Sequence, residues 1–337
     1  MADSRNRSFE CSFPLGSGVS SRQTVQTGGG LPALTPSPFP ANAISALRFI
    51  FENPATAGYS SASSGCPDMR LIADPSPTER LPSAIYDHYI EGAESREIVI
   101  DGVVVGRRFS IGGATLAFLC GLLPSDRRAS RADQARQTFE RIESALQSAG
   151  LTFANVARTW FYLDDILSWY GEFNRARSAF FKSRGISFET PPASTGIGLR
   201  NAAGAALTAS VIAVDGIDVR PVASPLQNPA GNYGSAFSRA VEFEIGRGRL
   251  LTISGTASID LTGATVYVGD IDRQIEQTMR VVEAMLVSRG MDWRNAVRAI
   301  IYYRRADDSK ANDSYGKGQS IPPLPAIPVC ATVCRDD

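Results

Sequence analysis

The sequence has a single histidine, His88, among 337 residues. That excludes any metal site or acid–base mechanism that needs two imidazoles. It has no excess charge of either sign: Lys plus Arg and Asp plus Glu number 34 each. No global field therefore draws in nucleic acid or an anionic membrane. No stretch approaches the ~18 uninterrupted apolar residues of a membrane-spanning helix. Met1-Ala2-Asp3-Ser4-Arg5 is not followed by the apolar core of a secretory signal. The five cysteines, Cys11, Cys66, Cys120, Cys330 and Cys334, are odd in number and irregularly spaced, which favours reduced thiols over a secreted disulfide framework. Together these absences predict a cytoplasmic protein with no nucleic-acid or membrane partner, no metal and no cofactor. Hydrophobic residues make up 43% of the chain, enough to bury a core in each of two domains.

Residues 12–66 are rich in Ser, Gly, Pro and Ala, with Gly28-Gly29-Gly30 and Pro36-Ser37-Pro38-Phe39-Pro40, and offer little continuous pattern apart from Ile44 to Phe51. Residues 1–94 read as an irregular arm or a degenerate unit, 95–220 as a first domain and 221–337 as a second. Glu97 to Val105 predicts two strands around the Asp101-Gly102 turn. Leu116 to Gly121 is a third strand. Ser130 to Gly150 is a helix burying Ala135, Phe139, Ile142, Leu146 and Ala149, with Gly150 as its stop. Val156 to Leu163 is β-branched and aromatic and reads as a strand. A helix around Trp169 to Arg184 and a closing strand, Ala205 to Val214, complete the unit.

The second half replays this order, with a strand at Leu250–Gly255, a helix at Asp272–Gly290 that turns Ile275, Met279, Val282 and Leu286 inward, and a strand at Ala296–Tyr303. At a fixed offset of 140, Gln134/Gln274, Thr138/Thr278, Gly150/Gly290, Asn155/Asn295, Arg158/Arg298 and Tyr162/Tyr302 are identical pairs. Two unrelated amphipathic helices would share apolar spacing, but not polar residues, stop glycine and following strand as well. Internal duplication is the better account. The order β-β-β-α-β-α-β predicts an α+β fold, each copy a mixed sheet with helices on one face. The opposite face then needs cover from another unit or another chain.

The glycine-ended strand, Gln-containing helix and Arg-x-x-x-Tyr strand of both copies, Val-x-Arg-x-x-x-Tyr in the first, resemble the RidA family (also called the YjgF family). The resemblance implies a chorismate-mutase-like unit closing around a threefold axis, a homo-oligomer, and ligand clefts between neighbouring units. Imine-hydrolysing RidA proteins grip a substrate carboxylate with the arginine of a Pro-x-Arg-Ser-Thr segment. Here Pro191-Pro192-Ala193-Ser194-Thr195 and Leu324-Pro325-Ala326-Ile327 place alanine there, and packing cannot replace a bidentate guanidinium. A tandem branch, the chorismatases, is similar in organisation. Its motifs match Ala236-Phe237-Ser238-Arg239-Ala240, Ile253-Ser254-Gly255-Thr256-Ala257-Ser258-Ile259, Gly269-Asp270-Ile271, Tyr170-x-x-Phe173-Asn174-x-x-Arg177 and Val333-Cys334-Arg335. The sequence departs from the branch at Gly171, where a basic residue is usual. The Glu-Ile-Glu run that supplies the branch's proton donor after its Cys-Arg segment has no counterpart up to Asp337.

The resemblance implies an inter-domain cleft for a small carboxylated metabolite and chorismatase-like hydrolase or lyase chemistry. The alternative is a non-catalytic metabolite-binding or scaffold protein. Expected ligand contacts are Arg239, Ser238, Arg177, Tyr170, Tyr162, Thr256, Ala257, Ser258 and Cys334, with no catalytic group assigned. Each has a plainer reading. Arg239 could cap a surface helix end, and Tyr170 could be core, although it shares a helix face with Arg177 seven residues on. Arg158 and Arg298 read as a structural pair inherited by duplication. Cys330 and Cys334 read as small buried residues rather than metal ligands, and His88 as a surface or packing residue. Without a lysine or a strand-to-helix setting, the Gly28 segment is a turn rather than a phosphate loop. Neutral charge and the lack of a histidine pair give no reason to expect RNA cleavage.

Overall fold

The computed structural model describes residues 7–16, 18–28, 42–54, 67–74, 81–186, 191–228 and 237–334. The chain opens with β1 (Arg7–Gly16), β2 (Val19–Gly28), β3 (Ala43–Glu52), β4 (Asp68–Ile72) and β5 (Ser83–Glu91). The middle region holds β6 (Glu94–Ile100), β7 (Val103–Ile111), β8 (Ala114–Leu122), α1 (Arg131–Ser148), β9 (Val156–Leu163), α2 (Ile166–Ser183), β10 (Ala193–Gly198), β11 (Arg200–Asn201), β12 (Leu207–Asp215) and β13 (Arg220–Val222). The last region holds β14 (Ala240–Ile245), β15 (Gly248–Ile253), α3 (Ile271–Ser288), β16 (Ala299–Tyr303), α4 (Ser309–Gly318) and β17 (Ala326–Cys330). The result is α+β, with two mixed sheets ordered β1-β2-β5-β3-β4-β11 and β10-β9-β12-β8-β7-β6, an antiparallel sheet β13-β14-β15 and a parallel pair β16-β17.

The duplication is visible in the local chemistry that starts and stops each element. α1 and α3 are both 18 residues long. Ser130 and Asp270 cap them, accepting from the backbone N–H of Asp133 and Arg273 respectively, which satisfies one orphan donor at each helix start. Gly150 and Gly290 follow them in the left-handed region, at φ 76° and 65°. Thr152 with Asn155, and Asp292 with Asn295, then form matching capping boxes. The Asp101-Gly102 turn has both residues at positive φ, 52° and 75°, as a type I′ hairpin requires.

The middle sheet is covered on both faces, which is why every residue of β9 is buried. One face packs α1 and α2 through Phe139, Ile142, Phe161, Phe173 and Phe180. The other joins a core shared by all three regions, where Phe49 and Tyr86 meet Phe118, Trp160, Tyr162, Phe243, Ile327 and Val329. Phe49 makes edge contacts with both Trp160 and Tyr162, at ring-centre distances of 5.5 and 6.3 Å. Each such side chain contributes roughly 1.5–3 kcal/mol by burial. The N-terminal sheet thus supplies cover that the middle sheet needs.

Two expectations are corrected. Residues 12–66 are not short of strand: β1, β2 and β3 lie there. The pattern was hidden because β2 buries polar side chains, Ser21, Gln23, Thr24 and Thr27, so no apolar alternation marks it. Those groups find partners: Ser21 Oγ lies 2.8 Å from His88 Nε2, and Gln23 Oε1 accepts from the Tyr86 hydroxyl. Gly28 ends β2, while Gly29, Gly30, the Pro36–Pro40 segment and Cys66 fall outside the described residues. In the last region, the strand expected from Ala296 begins at Ala299. α3 buries Ile275, Val281, Met285 and Leu286, leaving Met279 and Val282 half-buried. The cause is a difference in pairing. β12 hydrogen-bonds to β8 and β9 and unites the middle sheet, whereas no described strand joins β15 to β16.

Candidate functional site

β10 is the strand on which the three regions meet. It runs parallel to β9, and its side chains alternate between faces. Ala193 and Ile197 enter the shared core. Gly196 and Gly198 face α2: a Cβ on Gly196 would sit 3.5 Å from the Tyr170 ring, and one on Gly198 would sit 2.7 Å from the Ile166 side chain. α2 therefore runs back along β10 from Gly198 toward Ser194. Arg177 follows Tyr170 by seven residues, about 10 Å along the helix, and so lies toward the Ser194 end.

The last region closes on β10 at both ends. At one end, the Gly255 N–H donates to Ser194 O at 3.0 Å, and the Ser194 N–H donates to Ser254 Oγ at 2.9 Å. Ser254 Oγ in turn donates to Ser238 O, and Ser238 Oγ donates to Pro191 O at 2.6 Å. At the other end, Gly198 and Thr332 exchange backbone hydrogen bonds of 2.7 and 3.1 Å. The Thr332 hydroxyl donates to Asp74 Oδ2 at 2.9 Å, bringing in the N-terminal region. Half-buried Cys334 packs with Tyr170 against the helix-side cluster.

Arg177 is the group on this face that its surroundings do not satisfy. It is 6% exposed, its Nε has no hydrogen-bond partner, and no described carboxylate pairs with it. Its guanidinium lies 5.7 Å from the centre of the Phe173 ring. Burial pulls its pKa down, against the opposing influence of Tyr170. Asn174 shares the face of Tyr170 and Arg177, and its Oδ1 is likewise buried without a partner. Asn174 was absent from the expected contacts, although its i+4 relation to Tyr170 could have marked it.

The remaining expected contacts go elsewhere. Tyr162 is on the opposite face of the sheet, its hydroxyl 2.9 Å from that of Tyr302. Arg239 is buried, but its Nε donates to Asn228 O at 2.9 Å and it lies over Phe237. Gln227 donates to Ala257 O, and Ser258 Oγ donates to Val266 O, so both residues shape the neighbouring turn. Thr256 Oγ1 donates back to Ser254 O. Of its two plain readings, His88 takes the packing one: it is buried, edge-on to Phe118. Cys330 is buried and Cys334 half-buried, both as free thiols. Among the described residues, no three His, Cys, Asp or Glu side chains gather as metal ligands. Arg335 lies outside the described residues.

One carboxyl at this junction carries no sequence signature. Asp74 follows β4, and its N–H donates to Cys330 O at 2.9 Å. Burial pushes its pKa up. The Thr332 hydrogen bond and Arg200 oppose that, while Asp164 adds to it.

Residues 110–214, which span most of the middle copy, match the family model described as Endoribonuclease L-PSP. A 3-hydroxybenzoate synthase from Streptomyces hygroscopicus is 25% identical over 252 residues, covering 65% of this chain and 70% of that protein. The crystal structure of a chorismatase superposes with a TM-score of 0.66 at 19% identity, covering 100% of this chain and 97% of that one. At that identity the structural likeness is one of fold.

Proposed function

From a chain that is RidA-like and related in fold to chorismatases, we propose that the junction along β10 binds a small carboxylated ring metabolite and cleaves its enol ether, as a chorismatase-like lyase or hydrolase. The observation that carries the reading is Arg177, a buried guanidinium with an unpaired Nε. A buried cation lacking a counter-charge is costly, and a carboxylate ligand offsets that cost with charge-assisted hydrogen bonds. Tyr170 and Asn174, on the same helix face, supply an aromatic surface and an acceptor for a hydroxylated ring. Ser238, the Ser254–Thr256 turn and Cys334 bound the site from the last region. Arg239, Ala257 and Ser258 hold that turn in place.

Protonating an enol ether requires an acid that is still protonated near neutral pH. Asp74 is the half-buried carboxyl at the Gly198 end, and burial moves it in the direction an acid needs. The relative's name, a 3-hydroxybenzoate synthase, supports a benzoate-type product. The alanines at 193 and 326 argue against the imine-hydrolysing reaction. Threefold closure, in this reading, comes from three regions of one chain sharing a core rather than from a homo-oligomer. An odd cysteine count supports a cytoplasmic setting.

Incubating the protein with chorismate and following pyruvate release tests the reading. Wild-type protein is expected to release pyruvate, Asp74→Asn to slow release by at least about 100-fold, and Arg177→Met to raise KM. No pyruvate and no benzoate-type product at high protein loading would overturn it. In that case the second reading, a metabolite-binding protein without catalysis, is favoured by the same unpaired Arg177. A panel of carboxylic acids would then raise Tm in wild-type but not Arg177→Met protein.

A further inference from the structure

Across the sheet from Arg177, the shared core contains two more cations. Arg158 projects from β9 and is 4% exposed. Arg298 sits just before β16 and is half-buried. Both guanidiniums lie against Trp160, 4.4 and 4.9 Å from its ring centre, and Arg298 also lies 4.4 Å from the centre of Tyr86. No described carboxylate forms an ion pair with either. Arg158 donates to Thr159 O at 3.2 Å and to Thr195 Oγ1 at 2.6 Å, but its buried Nε has no partner.

The neighbours add donors rather than negative charge. The Tyr162 and Tyr302 hydroxyls are 2.9 Å apart. One proton serves that bond, so the other hydroxyl can donate outward. Both phenols stay protonated, because burial pushes Tyr302 up to about 12 and Tyr162 also upward. His88 feels Arg298 and is pulled down to about 3, chiefly by burial, so it is neutral near pH 7. Burial, then Arg298, pull Arg158 down to about 9, which still leaves it charged.

We propose that Arg158 and Arg298, with the Tyr162–Tyr302 pair, form a second anion site at the centre of the molecule, which takes a small oxyanion: a carboxylate or an inorganic phosphate or sulfate. Two guanidiniums held on one indole, with an unpaired Nε–H and a spare phenol O–H, match an acceptor-rich anion. They are poorly explained as a structural pair, since a buried charge without a counter-ion is destabilising. Arg298 is half-buried whereas Arg158 is 4% exposed and paired opposite Ile212 of β12, so solvent reaches the pair from the Arg298 side. The site stands whether or not the β10 junction is catalytic, because it shares no side chain with it.

The test is thermal unfolding of the full chain in phosphate, sulfate and acetate series, each against chloride at matched ionic strength. A saturable rise in Tm of about 3 °C or more is expected in wild-type protein. It should be absent in Arg298→Met, which at half-exposure is the safer variant, and in Arg158→Met. General salting-out by sulfate acts on all variants alike, so the difference between proteins is the readout. A larger response to acetate than to phosphate and sulfate assigns a carboxylate ligand, and the reverse assigns an inorganic one. Equal responses in wild-type and Arg298→Met protein, or no saturable response, would overturn the proposal. Retained response to a benzoate-type acid in Arg298→Met, but not in Arg177→Met, would locate that ligand at β10 instead.

Discussion

Arg177 and His88 show how burial gives a single side chain its behaviour. Arg177→Met removes an unpaired buried charge and keeps its volume, so stability is expected to hold or rise by about 1 kcal/mol, while affinity for a carboxylated ligand falls by about 100-fold. Denaturant titration beside calorimetric binding would check both at once. His88 makes stability depend on pH. Its folded pKa is about 3, lowered by burial and then by Arg298, against ~6.5 when unfolded. Between these values the unfolded chain holds a proton that the native chain does not. Stability is therefore full above about pH 7 and falls by a few kcal/mol as pH drops toward 3. The ring faces Arg298, Ser21 and Phe118, and no carboxylate is among these groups. His88→Gln, which can keep the bond to Ser21, should flatten the pH dependence of urea midpoints between pH 6.5 and 4. The Tyr170–Arg177 relation was legible because both lie on one helix, where spacing fixes the face. The placing of Tyr162 was not, since a strand's alternation says that neighbours face opposite ways but not which face meets the helices.

At the scale of elements, what the sequence announced was what local chemistry dictates. Ser130 and Asp270 cap their helices by side-chain hydrogen bonds, and alanine at either is expected to cost about 1 kcal/mol in chemical denaturation. Contacts between elements were silent. Gly121, the penultimate residue of β8, has φ 66°, and a Cβ there would meet Asp68 O at 2.4 Å. Gly246 turns from β14 to β15 at φ 58°, where a Cβ would lie 1.8 Å from Leu15 O. In both cases the obstacle is backbone of the N-terminal region. Gly121→Ala and Gly246→Ala should each cost more than about 2 kcal/mol, read as a lowered urea midpoint. A glycine at a hairpin tip such as Gly102, which meets nothing within 4 Å, should cost less. β1 and β2 escaped detection for a related reason. The buried polar residues of β2 are satisfied by β5 and its side chains, a partner that cannot be read from β2 itself, and β1 pairs only with β2.

For the whole molecule, the family resemblance implied closure around a threefold axis, which two copies cannot complete. The N-terminal sheet contributes Phe49, Phe51, Tyr86 and Ile90 to the same core as Trp160, Tyr162, Ile327 and Val329. Among the described residues it supplies a further sheet without helices. The chain should therefore sediment as a single 36.1 kDa species, and a trimeric mass would show that closure occurs between chains. Residue composition could not reveal this, because a sheet that packs without helices leaves no 3.6-residue period to find.

The unequal pairing of the two copies has a kinetic consequence. In the middle copy, β8 and β9 are hydrogen-bonded on both edges, so their amides open only with the whole domain. β15 and β16 each present one edge without a described strand, and only part of α3 is buried beneath them. Amide protons on those edges are expected to exchange with deuterium orders of magnitude faster than their counterparts in β8 and β9, through local opening. Proteases should first cut the same polypeptide in the last region, leaving the middle copy intact.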